Sequence, residues 1–238
     1  MARPLLIATY NIDFQSIFFG KRFDRLFNTI NNTSCNIIAF QEVPVAHIDP
    51  IVCLLQTKYP YHITSHTPGN IKRPYTEMIF SKSPFIVTGI HKFTETVYDR
   101  ALLWGTIDYE GNSVTIATSH LESMDYNGTT RLKQAHEVHQ ILSDKCNVLF
   151  LGDFNTEETD ELGPITQYWK ECPNYSNTWF LQRLYPDKDD IRKRYDRVFT
   201  SPIWTLPRLA KITTPLIGQY LPEEGVWTSD HDGLLVLI

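Results

Sequence analysis

The chain has 238 residues, 42% hydrophobic and 13% aromatic, with a formal net charge of −5. That is enough apolar material for a full core, and no Gly/Ser linker, low-complexity tract, charge block or repeat marks a boundary, so a single domain over residues 1–238 is expected. The acidic balance argues against strong non-specific DNA binding, which draws on a basic surplus, but leaves room for an enzyme that grips a short segment locally.

The opening Met-Ala-Arg-Pro is followed by only four apolar residues, Leu5 to Ala8, too few for a signal sequence or a membrane span. Cys35, Cys53, Cys146 and Cys172 have no metal-binding spacing and read as reduced packing thiols. An intracellular protein, nuclear or cytoplasmic, is expected.

Leu5 to Tyr10 reads as a short strand ending at Asn11, and Phe18 to Asn31 has helical spacing, with Phe19, Phe23, Leu26, Phe27 and Ile30 on one side. Asn36 to Phe40 is a second buried strand, ending at Gln41-Glu42, and Pro50 to Tyr59 reads as a helix. Four strand-like runs follow: Glu77–Ser81, Phe85–Phe93, Ala101–Tyr109 and Val114–Ser119. A hairpin at Tyr109-Glu110-Gly111-Asn112 joins the last two. Thr130 to Ser143 suits a helix and Asn147 to Leu151 a strand. After a loop-rich stretch come strands at Arg194–Thr200 and Gly233–Ile238. The order predicts an α/β protein, a sandwich of two sheets with helices on its outer faces.

Polar clusters fall where the strands end: Thr9-Tyr10-Asn11, Gln41-Glu42, Ser119-His120-Leu121-Glu122, Gly152-Asp153-Phe154-Asn155 and Ser229-Asp230-His231. Loops at one rim of a rigid sheet pair are where active sites commonly sit. An acid and an amide two residues apart, as Asp153 and Asn155 are, share one face of the strand end. Together they can orient and deprotonate a water or bind a phosphate with its metal. Glu42 is a hard oxygen ligand suited to Mg²⁺, with the Asn11 amide opposite it, although a carboxylate there could equally cap a helix. His231 could stabilise charge on a phosphate, provided a carboxylate fixes its tautomer. Asp196, which interrupts an apolar strand, is the candidate partner. His120 could donate to a phosphate oxygen. The combined chemistry is metal-assisted phosphodiester hydrolysis by an activated water. There is no Gly-rich phosphate loop and no G-x-S-x-G elbow to support the alternatives.

At these residues the chain resembles the endonuclease/exonuclease/phosphatase superfamily, which includes DNase I and the exonuclease III type abasic endonucleases. Within it, Thr9-Tyr10-Asn11-Ile12-Asp13, Thr118-Ser119-His120-Leu121-Glu122-Ser123, Thr178-Trp179, Tyr195-Asp196-Arg197-Val198-Phe199 and Ser229-Asp230-His231-Asp232-Gly233-Leu234 resemble the 5′-tyrosyl-DNA phosphodiesterases. The resemblance implies a DNase I-like four-layer α/β/β/α sandwich of two mixed sheets. It implies Mg²⁺, with Mn²⁺ as a substitute, held by Glu42 with Asn11 and Asp230 close by. Asp153 would handle the water, Asn155 would contact the phosphate, and His120 and His231, the latter supported by Asp196, would stabilise the transition state. Arg100 and Arg131 fall where that family has arginines and are candidates for substrate contact. Trp179 and Tyr195 could wall the adjacent nucleotide or be ordinary core aromatics.

The implied reaction is hydrolysis of a 5′-phosphotyrosyl bond between a protein-derived tyrosine and DNA or RNA, leaving a 5′-phosphate. The implied partner is a nucleic acid carrying a 5′-linked tyrosine or peptide, met by a monomer away from membranes. Alternatives are a related enzyme cutting abasic DNA, RNA or a small phosphoester, and a binding protein that kept the fold. The chain departs from the resembled pattern twice. Thr156-Glu157-Glu158 stands where a Leu-Arg pair is expected after Asn155, and Asp232 replaces a Trp after His231. Both changes are expected to add negative charge at the phosphate-binding rim.

Overall fold

The computed structural model of the chain describes residues 4–14, 19–68, 73–173, 176–206, 211–216, 220–221 and 226–238. Its first half contains β1 (Leu6–Asn11), α1 (Phe19–Asn32), β2 (Ile37–Pro44), α2 (Ile48–Leu55), β3 (Tyr61–Thr64), β4 (Tyr75–Ser81), β5 (Phe85–Lys92), β6 (Ala101–Tyr109) and β7 (Asn112–His120). There follow α3 (Gly128–Leu142), β8 (Val148–Asp153), α4 (Pro164–Tyr168), β9 (Lys170–Glu171), β10 (Trp179–Phe180), α5 (Leu181–Leu184), β11 (Arg192–Lys193) and β12 (Asp196–Thr200). The last strands are β13 (Lys211–Leu216), β14 (Tyr220–Leu221), β15 (Val226–Trp227) and β16 (Gly233–Leu237).

Two six-stranded sheets carry the fold, one ordered β13-β16-β1-β2-β4-β3 and the other β5-β6-β7-β8-β12-β9. Both are mixed: β1 runs parallel to β2 and antiparallel to β16, and β7 runs parallel to β8, which is antiparallel to β12. Because side chains alternate along a strand, each sheet offers one apolar face to the other sheet and one to the helices. Ile7, Ile37, Ala39 and Ile79 meet Leu103, Ile116, Leu151 and Val198 between the sheets. The alternate residues Ala8, Tyr10, Ile38 and Phe40 pack beneath Leu26, Phe27 and Ile30 of α1 and Ile51 and Leu55 of α2. Leu102, Ala117, Phe150 and Phe199 do the same beneath Ala135, Val138 and Leu142 of α3 and Ile165 of α4. The four layers expected from the sequence are therefore present.

Three strands of these two sheets were not legible in the sequence, the two-residue edge strand Lys170–Glu171 and two longer ones. Tyr61–Thr64 forms an edge strand with its first two residues exposed, so its hydrophobic alternation is weak. Lys211–Leu216 contains Pro215, which marks a loop in a sequence. The structure tolerates the proline because β13 is an edge strand whose register shifts between Ile212 and Pro215. The second helix ends at Leu55 rather than at Tyr59, and the expected start of the first at Phe18 lies outside the described residues. Among the described residues no helix is long and apolar enough to cross a membrane.

Candidate active site

The parallel pairing of β1 and β2 sets Asn11 beside Gln41, at the rim where both strands open into loops. Just beyond, the β2–β4 register shifts between Phe40 and Val43, and Glu42 takes a positive φ of 58°. A bulge of this kind re-aims a side chain that regular pleating would direct elsewhere. In the second sheet, β8 places Asp153 opposite His120 of β7 on one side and Asp196 of β12 on the other. The sheets are joined under the rim by a buried polar link, in which Gln41 Nε2 donates to Thr9 Oγ1 (3.0 Å) and to Thr118 Oγ1 (2.8 Å).

Asp153 lies at the convergence point. Its Oδ2 accepts from Asn11 Nδ2 (2.9 Å) and lies 3.3 Å from His120 Nε2 and 3.5 Å from His231 Nε2. Its Oδ1 accepts from the backbone N–H of Asn155 (2.9 Å), a residue held at φ 52°. Both carboxylate oxygens are thus fixed. The Asn155 side-chain amide donates to the Leu121 carbonyl (3.0 Å), which anchors the turn after β8 to the end of β7.

The two imidazoles have opposite electrostatics. Burial, followed by the charges of Arg100, His231 and Arg73, pushes His120 well below the usual histidine range. It is neutral, and Arg100 Nη1 donates to its Nδ1 across 2.6 Å, leaving the proton on Nε2, toward Asp153. Burial also disfavours charge on His231, but Asp196, Asp230 and Asp153 outweigh it and hold the group well above its usual value. His231 donates from Nδ1 to Asp196 Oδ2 (2.7 Å). Burial pushes the Asp196 carboxyl up, to about 6, against the pull of His231, so the two form an aspartate–imidazolium pair at neutral pH.

Glu42 is pushed up to about 8, first by burial and then by the negative fields of Asp13 and Asp230. A carboxyl crowded by two other acids is stabilised as an anion by a cation placed among them, so the donor set fits a hard divalent metal. Among the described residues no three His, Cys, Asp or Glu side chains form a ready-made metal cage. Magnesium does not require one, since it is commonly held by one or two carboxylates with water and substrate oxygens completing its shell. Asp13, which the sequence reading did not assign, accepts from Arg22 Nη1 (2.9 Å), and Arg22 also reaches the Thr228 carbonyl (3.2 Å). The period-two spacing of Asn11 and Asp13 was a visible signal for Asp13. Arg22 lies on a helix and gave none.

The remaining candidates separate. Trp179 donates from Nε1 to Asp230 Oδ2 (2.8 Å) and stacks on Tyr195, ring centroids 5.4 Å apart at 28°. Both rings are half-buried, so they form a wall at the rim rather than part of the core. Arg100 reaches the site and helps wall a cavity of about 530 Å³ beside Glu42, together with Phe14, Tyr75, Tyr98 and Met124. The Arg131 guanidinium is buried and bonded to the carbonyls of Glu122 (2.9 Å) and Met124 (2.8 Å) and to Glu161 (2.8 Å), so it straps a loop, and it also lines a cavity of about 220 Å³ with Asn155, Glu157 and Tyr195.

The two sequence departures also prove less disruptive than their charges suggest. Asp232 is buried and paired with Arg183, and Glu157 accepts from the Arg194 backbone (3.0 Å) with Lys193 Nζ 3.4 Å away. Glu158 alone of the three acids is exposed.

Residues 8–231 match the Endonuclease/Exonuclease/phosphatase family, and the chain belongs to it. Among curated proteins it is 29% identical over 219 residues to tyrosyl-DNA phosphodiesterase 2 of Gallus gallus, covering 85% of this chain and 58% of that protein. It is 26% identical to the Xenopus tropicalis protein of the same name, covering 84% and 59%. The chain thus spans rather under three-fifths of the length of these relatives. Among solved structures, Danio rerio TDP2 complexed with a single-strand DNA product superposes with a TM-score of 0.82 at 22% identity, covering 98% of each chain. A beta toxin from Staphylococcus aureus reaches 0.78 at 17% identity, covering 98% of this chain and 99% of that one. At these identities the structural likeness establishes the fold.

Proposed function

We propose that this protein is a divalent-metal-dependent phosphodiesterase, using Mg²⁺ or Mn²⁺, that hydrolyses 5′-phosphotyrosyl bonds between a protein-derived tyrosine and DNA, or RNA, leaving a 5′-phosphate. The observation that carries this reading is the convergence of Asn11, His120 and His231 on Asp153 Oδ2, with the charge-stressed Glu42 alongside. The similarity to proteins named tyrosyl-DNA phosphodiesterase 2 supports the choice of substrate.

Glu42 would hold the metal, with Asp230, Asn11 and Asp13 around it. When bound, the metal neutralises phosphate charge and stabilises the departing oxygen. Asp153 orients the attacking water and takes its proton, its carboxylate being fixed at both oxygens. His231, charged and held by Asp196, presents its Nε2–H to the negative charge that develops on the phosphoryl oxygens. His120 is neutral and offers a second Nε2–H without adding charge. Asn155 steadies Asp153 through its backbone and brings its amide to the same rim. Arg100 and the aromatic cavity beside Glu42 suit an aromatic leaving group, and the Trp179–Tyr195 wall suits a stacked base on the nucleic-acid side. The whole residue range 1–238 would act as one catalytic domain, monomeric and intracellular.

The test is incubation with Mg²⁺ and two labelled substrates, a 5′-phosphotyrosyl oligonucleotide and an abasic duplex. Release of a 5′-phosphorylated product from the first alone is expected. Cleavage of only the duplex would make the protein an endonuclease of the same family, and cleavage of neither would favour a binding role.

A further inference from the structure

Asp232 stands where the resembled family has an aromatic residue, and its partner comes from a distant part of the chain. Arg183, on the short helix α5, uses one guanidinium nitrogen for two bonds. Nη1 donates to the Asp232 carboxylate (2.8 Å) and to the backbone carbonyl of His231 (3.1 Å). The guanidinium lies against two aromatic rings, 3.9 Å from the Phe180 ring centroid and 4.4 Å from that of Trp227. Both charged groups are largely withdrawn from solvent, the Arg183 side chain being 8% exposed and that of Asp232 11%. A cation and an aromatic therefore stand behind His231 after all, supplied by other positions.

We propose that Arg183 is a positioning residue that holds His231 in the orientation the reaction needs. The inference rests on the reading of His231 as part of the phosphodiesterase site. The Asp230–Asp232 segment runs beside Thr178–Phe180, where Phe180 N–H donates to the Asp230 carbonyl (3.0 Å) and Asp232 N–H to the Thr178 carbonyl (2.7 Å). The His231 N–H donates to Ser229 Oγ (3.0 Å). Arg183 takes the His231 carbonyl, and so controls the peptide plane adjoining the Cα that carries the imidazole. Contact with the Phe180 and Trp227 rings restrains the guanidinium and makes it a rigid support. Arg183 also neutralises Asp232, whose negative field acts on the buried Tyr10 nearby. With the cation removed, Asp232 loses its 2.8 Å ion-pair partner one residue from His231, and the segment is no longer held from that side.

Three proteins test this: wild type, Arg183→Met and Arg183→Lys. Each is assayed by steady-state cleavage of a 5′-phosphotyrosyl oligonucleotide with Mg²⁺, and by proton NMR of the low-field His231 Nδ1–H bonded to Asp196. In Arg183→Met, kcat is expected to fall about 10- to 100-fold with KM within about twofold, and the His231 proton to shift or broaden, since a small misplacement of a catalytic group costs that much. Arg183→Lys keeps the charge but not the planar guanidinium, and should show an intermediate loss in kcat with a smaller shift. That milder variant also decides the matter if Arg183→Met does not fold. A kcat within threefold of wild type, or an unchanged His231 signal in a folded variant, overturns the proposal. If wild type fails to cleave the substrate, the phosphodiesterase reading fails, while the NMR comparison still decides whether Arg183 positions His231.

Discussion

Asp196 and His231 form a buried ion pair, with Nδ1 and Oδ2 separated by 2.7 Å, although the two residues are 35 positions apart in sequence. The pair fixes the His231 tautomer and keeps the ring cationic, with Nε2 turned toward Asp153. Asp196→Asn preserves shape but removes the counter-charge. Single-turnover cleavage at pH 7 is expected to slow by about 10²- to 10³-fold, the range typical of losing one positioned general acid or charge stabiliser. A rate within threefold of wild type would show that His231 needs no anionic partner.

Glu42 gives a prediction about metal that is independent of turnover. Its carboxyl is strained by burial and by Asp13 and Asp230, and a bound cation relieves that strain. Adding millimolar Mg²⁺ to the wild-type protein should raise its melting temperature, because a ligand that binds only the folded state stabilises it by mass action. Glu42→Gln, which mimics the neutral carboxyl favoured in the metal-free protein, should melt close to the metal-free wild type and respond to Mg²⁺ little or not at all. An equal Mg²⁺ response in both proteins would place the metal elsewhere.

Gly152 shows how the fold delivers Asp153. Its φ is +148°, and a Cβ built on it would lie 2.3 Å from the Ser119 carbonyl oxygen. The obstacle is backbone of the adjacent strand, which cannot rotate away. Gly152→Ala should therefore cost about 1–3 kcal/mol of stability, measured by denaturant unfolding, and should lower activity by more than the unfolded fraction explains. The second effect follows because the displaced residue precedes Asp153, which pairs with His120 across the same strands. Unchanged unfolding would mean that β7 and β8 can separate at this point without loss.

Much of this site was legible because its residues sit where apolar strands stop. Asn11, Glu42, His120 and Asp153 each follow a buried run and His231 stands just before the last one, and the run itself marks the position. Asp196 was legible for the opposite reason, as an acid at the head of a buried strand. The residues that support the site from behind carried no such mark. Arg22, Arg73 and Arg183 were not singled out in the sequence, yet each is buried or nearly so and bonded to an acid. The bonds of Arg131 to the Glu122 and Met124 carbonyls were not legible either, because position relative to a motif says nothing about which way a long side chain turns. The edge strands β3 and β13 were missed because edges need neither strong alternation nor freedom from proline.

Glu171 supplies a test of the fold's electrostatics away from the reaction. Burial works to raise its carboxyl, but hydrogen bonds and charge from Arg197 and Arg194 outweigh that and hold it below the usual glutamate range. It bonds Arg197 at 2.9 and 2.8 Å and Arg194 at 2.6 Å, and Arg197 is wholly buried. A depressed carboxyl contributes stability that is fully present above its unfolded value, about 4.3, and is lost as the pH falls through its lower folded value. Glu171→Gln should therefore be less stable than wild type by about 1–3 kcal/mol between pH 5 and 8, because it leaves the Arg197 charge uncompensated. The side chain is 27% exposed, which keeps the effect below that of a fully enclosed pair. As the pH falls through the lower folded value the two proteins should converge, since the wild-type carboxyl is then protonated as well. Urea unfolding at a series of pH values from 7 down into the acid range follows the gap, and a gap that never narrows would assign the loss to packing instead of to charge.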